Sequence, residues 1–344
     1  MNLLENDRLL RVLNHLPVDR VPVWIMRQAG RTDPEYKQLR KEDGRPLEKI
    51  FSDVELSIKI SLLPKKLGVD AIIMFQDILT PLTPTGTVFH FTPGPFLEDP
   101  IRTMNQVKAI RKLDSETQLV QVGKIIRGIN EKLGGELPLL GFAGSPMSLA
   151  FFLIAGSQPN QKHKEILAFI NEYPVFTKAL LERLTELTIN YLNYQISSGV
   201  HAVQLFESFA DVISLEIYEK YVQPTHEKIF SALNPNIPSI LFTKESPHIE
   251  LMLQSGSKAL SVGNSIDLET AKKKAPEMIF QGNVDNKILA DGSKGKITKA
   301  VEKCFAETNR RNHILNLNHG LLERTPFENV QHFVDVAKKL GKIN

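Results

Sequence analysis

At 344 residues, with 42% hydrophobic and 24% charged, the chain has the make-up of a soluble globular protein and enough apolar side chains for a sizeable core. Its formal net charge of +3 is nearly neutral for this size, which speaks against nucleic acid or a membrane surface as partner and means any anion site must be a local concentration of arginine. A lone cysteine, Cys304, excludes an intrachain disulfide and a thiolate metal cluster within one chain, and fits a reducing cytosol.

The first twenty residues alternate charges with leucines. They lack the apolar run of a signal peptide, and no stretch reaches membrane-spanning length. They predict a short amphipathic helix over Glu5–Asn14. Short apolar runs then alternate with helical patterns. The runs Val21–Ile25, Asp70–Phe75, Leu137–Phe142, Ala202–Phe206, Pro238–Phe242, Ala259–Val262, Met278–Gln281 and Ile314–Leu317 predict strands. Between them, Pro46–Leu67, Ser115–Leu133, Pro174–Ser198, Ile213–Leu233, Pro247–Gln254, Leu268–Lys274 and Ile297–Arg311 predict helices, and Pro326–Leu340 closes the chain. Strands apolar on both faces, alternating with helices, point to a parallel sheet. Such repetition, with no Gly-rich phosphate loop after the first strand, favours a (β/α)8 TIM barrel, an α/β fold, over a doubly wound sheet. With no linker or internal repeat, residues 1–344 read as a single domain. Pro81–Pro100, with turn residues at Pro84–Gly86 and Pro93–Pro95, reads as a hairpin insertion after strand two, placed over one end of the barrel.

In such a barrel chemistry sits at the carboxyl ends of strands. Strand one runs into Arg27, Gln28, Ala29, Gly30 and Arg31. Two arginines around a small turn are costly to bury without anions. Ala29 and Gly30 leave room, Gly30 can take positive φ, and both guanidinium forks can aim into one cavity. The alternative is a pair of surface arginines in salt bridges. Strand two ends at Phe75-Gln76-Asp77, strand three at Gly141–Pro146, strand four at Phe206-Glu207-Ser208, strand seven at Gly282–Asp285 and strand eight at Asn316–Gly320 with His319. Asp77 and Ser208 equally suit helix caps, His319 a backbone-bonded structural role, and Asn283 and Asp285 a turn. The functional reading draws on coincidence: several polar residues fall at the same end of different strands. The nine histidines show no metal-ligand spacing, and no nucleophile elbow occurs. Arginines, one or two carboxylates, a hydroxyl and a histidine make a site for binding a polyanion and moving protons.

Val23–Arg31 followed by Pro34-Glu35-Tyr36 resembles the N-terminal signature of the uroporphyrinogen decarboxylase family. Phe75–Leu82, Gly141–Pro146, Gln204–Ser208, Gln281–Asp285 and Asn316–Gly320 resemble its later motifs, in order and along nearly the whole chain. The resemblance implies a (β/α)8 barrel working in the cytoplasm as a homodimer, with no metal or organic cofactor. It implies conversion of the four acetate side chains of uroporphyrinogen III to methyl groups, giving coproporphyrinogen III. By the same resemblance, Arg27 and Arg31 bind substrate carboxylates, with Arg27 also a candidate proton donor. Asp77 faces the pyrrole nitrogens, Ser208 and His319 hold further carboxylates, and Tyr36 and Arg40 line the cleft. Gln28, Ala29, Gly30 and Phe152 complete the substrate-binding set.

Three positions depart from the family pattern. Thr32 stands where tyrosine is usual after the second arginine. Phe152, preceded by Phe151, stands where the helix after the third motif usually carries an active-site tyrosine. The strand end Leu260–Asn264 lacks the expected acidic and tryptophan residues. Two other readings stay open: a zinc- or corrinoid-dependent methyltransferase of the same superfamily, and a catalytically silent tetrapyrrole-binding protein.

Overall fold

The structure, a computed structural model, describes residues 4–91 and 94–343. Strands β1 (Ile72–Ile73), β4 (Leu139–Gly144), β5 (Ala202–Glu207), β6 (Ser239–Thr243), β7 (Ala259–Ser261), β8 (Ile279–Gln281) and β9 (His313–Ile314) pair in that order, every pair parallel. Two short strands, β2 (His90–Phe91) and β3 (Pro95–Phe96), pair antiparallel apart from this sheet, with His90 opposite Phe96. The tip of the insertion expected there, residues 92–93, lies outside the described residues.

The sequence predicts a strand over Val21–Ile25. The structure instead has an extended segment whose hydrogen bonds mix side chains with backbone. Pro22 has no N–H to give a ladder. The Val23 N–H goes to Asp70 Oδ2 (2.8 Å), the Ile25 N–H to Gln28 Oε1 (3.2 Å) and the Met26 N–H to Asn316 Oδ1 (3.2 Å). Still, the segment meets both edges of the sheet. Val23 bridges Leu315 in parallel beyond β9, and its carbonyl accepts the Asp70 N–H (2.7 Å) at the foot of β1. Inside the curl, Gln281 links Trp24 Nε1 (2.9 Å), Gln204 (2.8 Å) and Ser261 (2.8 Å), so this polar layer is bonded across four segments.

Two helices have the predicted bounds, Pro174–Ser198 and Leu268–Lys274. The first has Pro at its start and Gly199 at φ +113° past its end, the two strongest helix punctuators. The stretch Pro46–Leu67 is expected as one helix but divides. Asp53 Oδ1 accepts the Leu56 N–H (3.0 Å), which starts a second helix at Val54. Over Ile213–Leu233 a turn of π-helix, Tyr218–Val222, interrupts the expected α-helix. A helix the hydrophobic pattern does not announce spans Pro34–Asp43. It is capped by Asp33 and buries none of its residues.

Asp70, fully buried, accepts from Arg20 Nη1 and Nη2 (both 2.6 Å), Asn6 Nδ2 (2.8 Å) and the Val23 N–H. Removing one charge of a buried, multiply bonded pair leaves the other uncompensated. Asp70→Asn is therefore expected to lower the unfolding free energy by about 3–5 kcal/mol, measured by urea titration of both proteins.

Candidate active site

All seven strands run the same way, so their carboxyl ends share one rim. The residues at that rim come from six strand ends and from the segment that closes on them.

Arg27 leaves the extended segment at φ +62°, a left-handed conformation that costs a non-glycine residue roughly 1 kcal/mol or more. Its side chain lies across Gly320, where a Cβ would come within 2.5 Å of Arg27 Cδ. Gly30 adopts φ +136°, as its place between the arginines requires. Among the described residues, neither Arg27 nor Arg31 makes an ion pair or a side-chain hydrogen bond. The Arg27 guanidinium keeps an exposed face, yet protein surrounds it closely enough to lower its pKa. Burial is the largest cause, the positive charge of Arg31 adds to it, and Asp77 opposes it.

Asp77, four residues beyond β1, points one oxygen at its own turn: Oδ1 accepts the Leu79 N–H (2.9 Å). Oδ2 has no protein partner and is not sealed from solvent. Burial holds the carboxyl above the ordinary aspartate value, with the Leu79 bond and Arg27 opposing. His319 packs edge-on against Phe242 (ring centroids 5.8 Å apart). Burial, then Arg27 and Lys244, lower its pKa to about 3, so the ring is neutral at physiological pH. Arg27 is thus within electrostatic reach of Arg31, Asp77 and His319, and Arg31 also acts on His319. Ser208 follows the end of β5, two strands along from β1, its N–H donating to Ser148 Oγ (2.7 Å) and its hydroxyl unbonded among the described residues.

The other expected residues differ in what their side chains do. Gln28 is buried, and its amide is spent on backbone: Oε1 on the Ile25 N–H and Nε2 on the Ala71 carbonyl (2.9 Å). Its side chain is therefore corrected from substrate contact to a clamp that shapes the turn. Arg40 donates through Nη1 to the Arg45 carbonyl (2.8 Å), so part of its fork is occupied. Tyr36 is half-buried edge-on to Phe75 (5.7 Å), with Arg31 and Arg40 among the charges acting on it. Ala29 is half-buried in the same turn. Phe152 sits between Phe89 (6.4 Å) and Phe209 (5.7 Å), so it offers an apolar wall.

Sequence reasoning passed over the end of β6. There Lys244 pairs with Asp211 (2.8 Å) and acts on His319, and Glu245 follows at φ +47°. The strand-end rule that selected Asp77 would have selected both. It also left Glu207 without a role. Its carboxylate is fully buried and accepts from the hydroxyls of Ser145 and Ser148, so it braces the start of the helix Pro146–Ala155 beneath Ser208. Among the described residues, no group of three or more His, Cys, Asp or Glu is arranged to hold a metal ion, and no helix is long and apolar enough to cross a membrane. A flanking cleft of about 610 Å³, between Arg111–Glu116 and the helix Pro174–Ser198, contains none of the rim residues.

Depressed histidines bind protons more readily unfolded than folded. His319 is held at about 3, and the buried His313, bonded to the Gly282 carbonyl (2.7 Å), at about 4. Their contribution to stability is complete above about pH 6.5 and is lost as pH falls toward those values. Asp77 acts in the opposite sense, since its raised carboxyl favours the fold once protonated. Urea unfolding between pH 7 and 5 should show stability falling with acid by up to about 1.4 kcal/mol per pH unit per histidine. His319→Asn should flatten that slope by up to one proton.

The chain matches the family model described as uroporphyrinogen decarboxylase (URO-D) over residues 4–340. It is 36% identical over 342 residues to the uroporphyrinogen decarboxylase of Trichlorobacter lovleyi, covering 98% of this chain and 99% of the relative. It is 38% identical over 332 residues to that of Prochlorococcus marinus strain MIT 9215, covering 94% and 95%. Among solved structures it resembles a methyltransferase from Methanosarcina mazei, with a TM-score of 0.80 at 20% identity over 98% of this chain and 99% of the other. A putative vitamin-B12-independent methionine synthase from Listeria monocytogenes gives a TM-score of 0.53 at 12% identity, covering 94% and 96%. At those identities the two structures speak to fold alone.

Proposed function

Because the chain belongs to the uroporphyrinogen decarboxylase family, we propose that it removes the four acetate carboxyl groups of uroporphyrinogen III as CO2, leaving methyl groups and giving coproporphyrinogen III. One observation carries the site assignment: two partnerless guanidinium groups share a rim with a carboxylate whose Oδ2 is free. A polyanion satisfies the first, and a ring that becomes cationic satisfies the second.

The chemistry follows from the substrate. Loss of CO2 from an acetate leaves an electron pair that needs a sink, and the pyrrole can be that sink without an organic cofactor. A proton added to the ring carbon beside the acetate makes the ring cationic. The C–C bond then breaks, CO2 departs, and its bonding pair enters the ring as an exocyclic double bond. A second proton on the exocyclic carbon forms the methyl group, and loss of the ring proton restores the pyrrole. Each acetate consumes one proton net. Asp77, aimed at the ring nitrogens, stabilises the cationic stage, a contribution worth about 3–4 kcal/mol for one well-placed group. Arg27 and Arg31 hold the flexible carboxylates in register, and Ser208 and neutral His319 take further ones through hydrogen bonds. A bound carboxylate beside His319 raises its proton affinity. Arg27 as the donor requires a guanidinium to act as an acid, and the lowering of its pKa by burial is in that direction.

The finer architecture is read the same way. The bonds from Pro22–Trp24 to both sheet edges support a closed (β/α)8 barrel over one domain. The pair β2–β3 supports a hairpin insertion, since Phe91 leads through Phe51 (6.0 Å) and Phe75 (5.1 Å) to the Asp77 strand end. The homodimer and the cytoplasmic setting rest on the family resemblance, and light scattering and cell fractionation test them.

Purified protein given uroporphyrinogen III without oxygen should yield coproporphyrinogen. Asp77→Asn should lower kcat by about 10²–10³-fold with an unchanged melting temperature, and near-wild-type turnover would remove Asp77 from its assigned role. Phe152→Tyr should retain activity. A collapse there would mean that this position does not correspond to the family's tyrosine.

A further inference from the structure

Glu245 is one of two residues at the strand-end rim, with Arg27, whose backbone lies in the left-handed region without being glycine. Such a conformation persists where surrounding contacts over-determine it. The contacts are plain. From the end of β6 the side chain reaches over the end of β7, where Gly263 stands. A Cβ at position 263 would fall 2.5 Å from Glu245 Cδ and 2.6 and 2.7 Å from its two carboxylate oxygens. The carboxylate therefore fills the space that a side chain of residue 263 would occupy. The family resemblance leads one to expect an acid on that strand end, and an acid is there, delivered from the neighbouring strand.

Its two oxygens are both used. Oε2 accepts the Ser265 N–H (2.8 Å) and Oε1 accepts Asn318 Nδ2 (2.8 Å). Asn318 is fixed on its other side, Oδ1 accepting the Asn286 N–H (2.8 Å), so its amide has one orientation. Asn286 Nδ2 in turn holds the Gly320 carbonyl (2.8 Å). His319 lies between the two anchored residues, and Gly320 carries the Arg27 side chain on its open face.

We propose that Glu245 is a positioning residue for the His319–Gly320 end of the site, its carboxylate reaching over Gly263 to hold Asn318 and so fix where His319 and Arg27 meet the substrate. This rests on the reading that His319 receives a substrate carboxylate. Glu245 touches no reacting atom and acts through Asn318.

The geometry gives a test whose sign reverses with background. Glu245→Gly frees the backbone strain but gives up two hydrogen bonds to a carboxylate, so it should stay folded and melt somewhat lower than the parent. It should nonetheless lose tenfold or more in kcat/KM for uroporphyrinogen III, chiefly through KM. Gly263→Asp alone puts a carboxylate against Glu245 and should be harmful. In the Glu245→Gly background the same substitution has room, and the pair should recover to within threefold of the parent. Parental kinetics for Glu245→Gly, or a double variant no better than the poorer single, would overturn the proposal. A ligand-free measurement separates this from the reaction itself. The His319 ring resonance, assigned with His319→Asn, should shift or broaden in Glu245→Gly and return in the double variant. If the parent makes no coproporphyrinogen, the reading of the reaction fails, and the resonance still decides whether Glu245 places His319. An unmoved resonance counts against it.

Discussion

The Asp70 carboxylate is the constraint from which the site follows. It sits at the foot of β1 and gathers two guanidinium N–H groups, a side-chain amide and the Val23 N–H. Burying a carboxylate is tolerable only with such a complete set of donors. Its role goes beyond stability, because Val23 lies in the segment that approaches both edges of the sheet and Arg20 directly precedes it. With Val23 fixed there, Met26 is held by Asn316 and Leu321, and the chain must turn at Arg27. The left-handed backbone of Arg27 is the cost of directing that side chain across Gly320.

Charge is distributed in two layers. The structural layer is satisfied internally: Arg20 pairs with Asp70, and the hydroxyls of Ser145 and Ser148 donate to Glu207. The rim is not. Arg27 and Arg31 repel each other, burial weakens Arg27's hold on its proton, and His319 is kept neutral between cations. Lys244, which also faces His319, is by contrast paired with Asp211. The unpaired charges thus lie at the rim, and that contrast separates a binding surface from ordinary surface salt bridges.

Much of this was legible in the chain. Alternation of apolar runs with helical patterns gave the parallel sheet, because strands buried on both faces leave that mark. Helix Pro174–Ser198 was readable to the residue because Pro and Gly punctuate it. Arg27, Arg31, Asp77 and His319 are the residues selected by the rule that chemistry gathers at carboxyl strand ends, and Arg27 acts electrostatically with the other three. What was illegible had local causes. Val21–Ile25 has a strand's composition, but Asp70 takes the Val23 N–H and Gln28 the Ile25 N–H, and nothing in the segment announces a partner as distant in sequence as Asp70. The break at Asp53 is one capping side chain inside a long apolar pattern. Gln28 shares a motif with the arginines, yet its amide points into the fold; adjacency in sequence carries no information about side-chain direction. Glu245 escapes because it stands two residues beyond β6, whereas the acid expected from the family pattern belongs to the β7 end, Leu260–Asn264.

The lack of partners for Arg27 and Arg31 has a practical side. An arginine fork pairs with phosphate as it does with carboxylate, so phosphate, sulfate or citrate in a buffer is expected to compete there with a carboxylated macrocycle. Apparent KM should then rise with buffer phosphate at constant ionic strength and stay flat in a zwitterionic buffer. Assay conditions, and not the enzyme alone, will set the affinity an experimenter records.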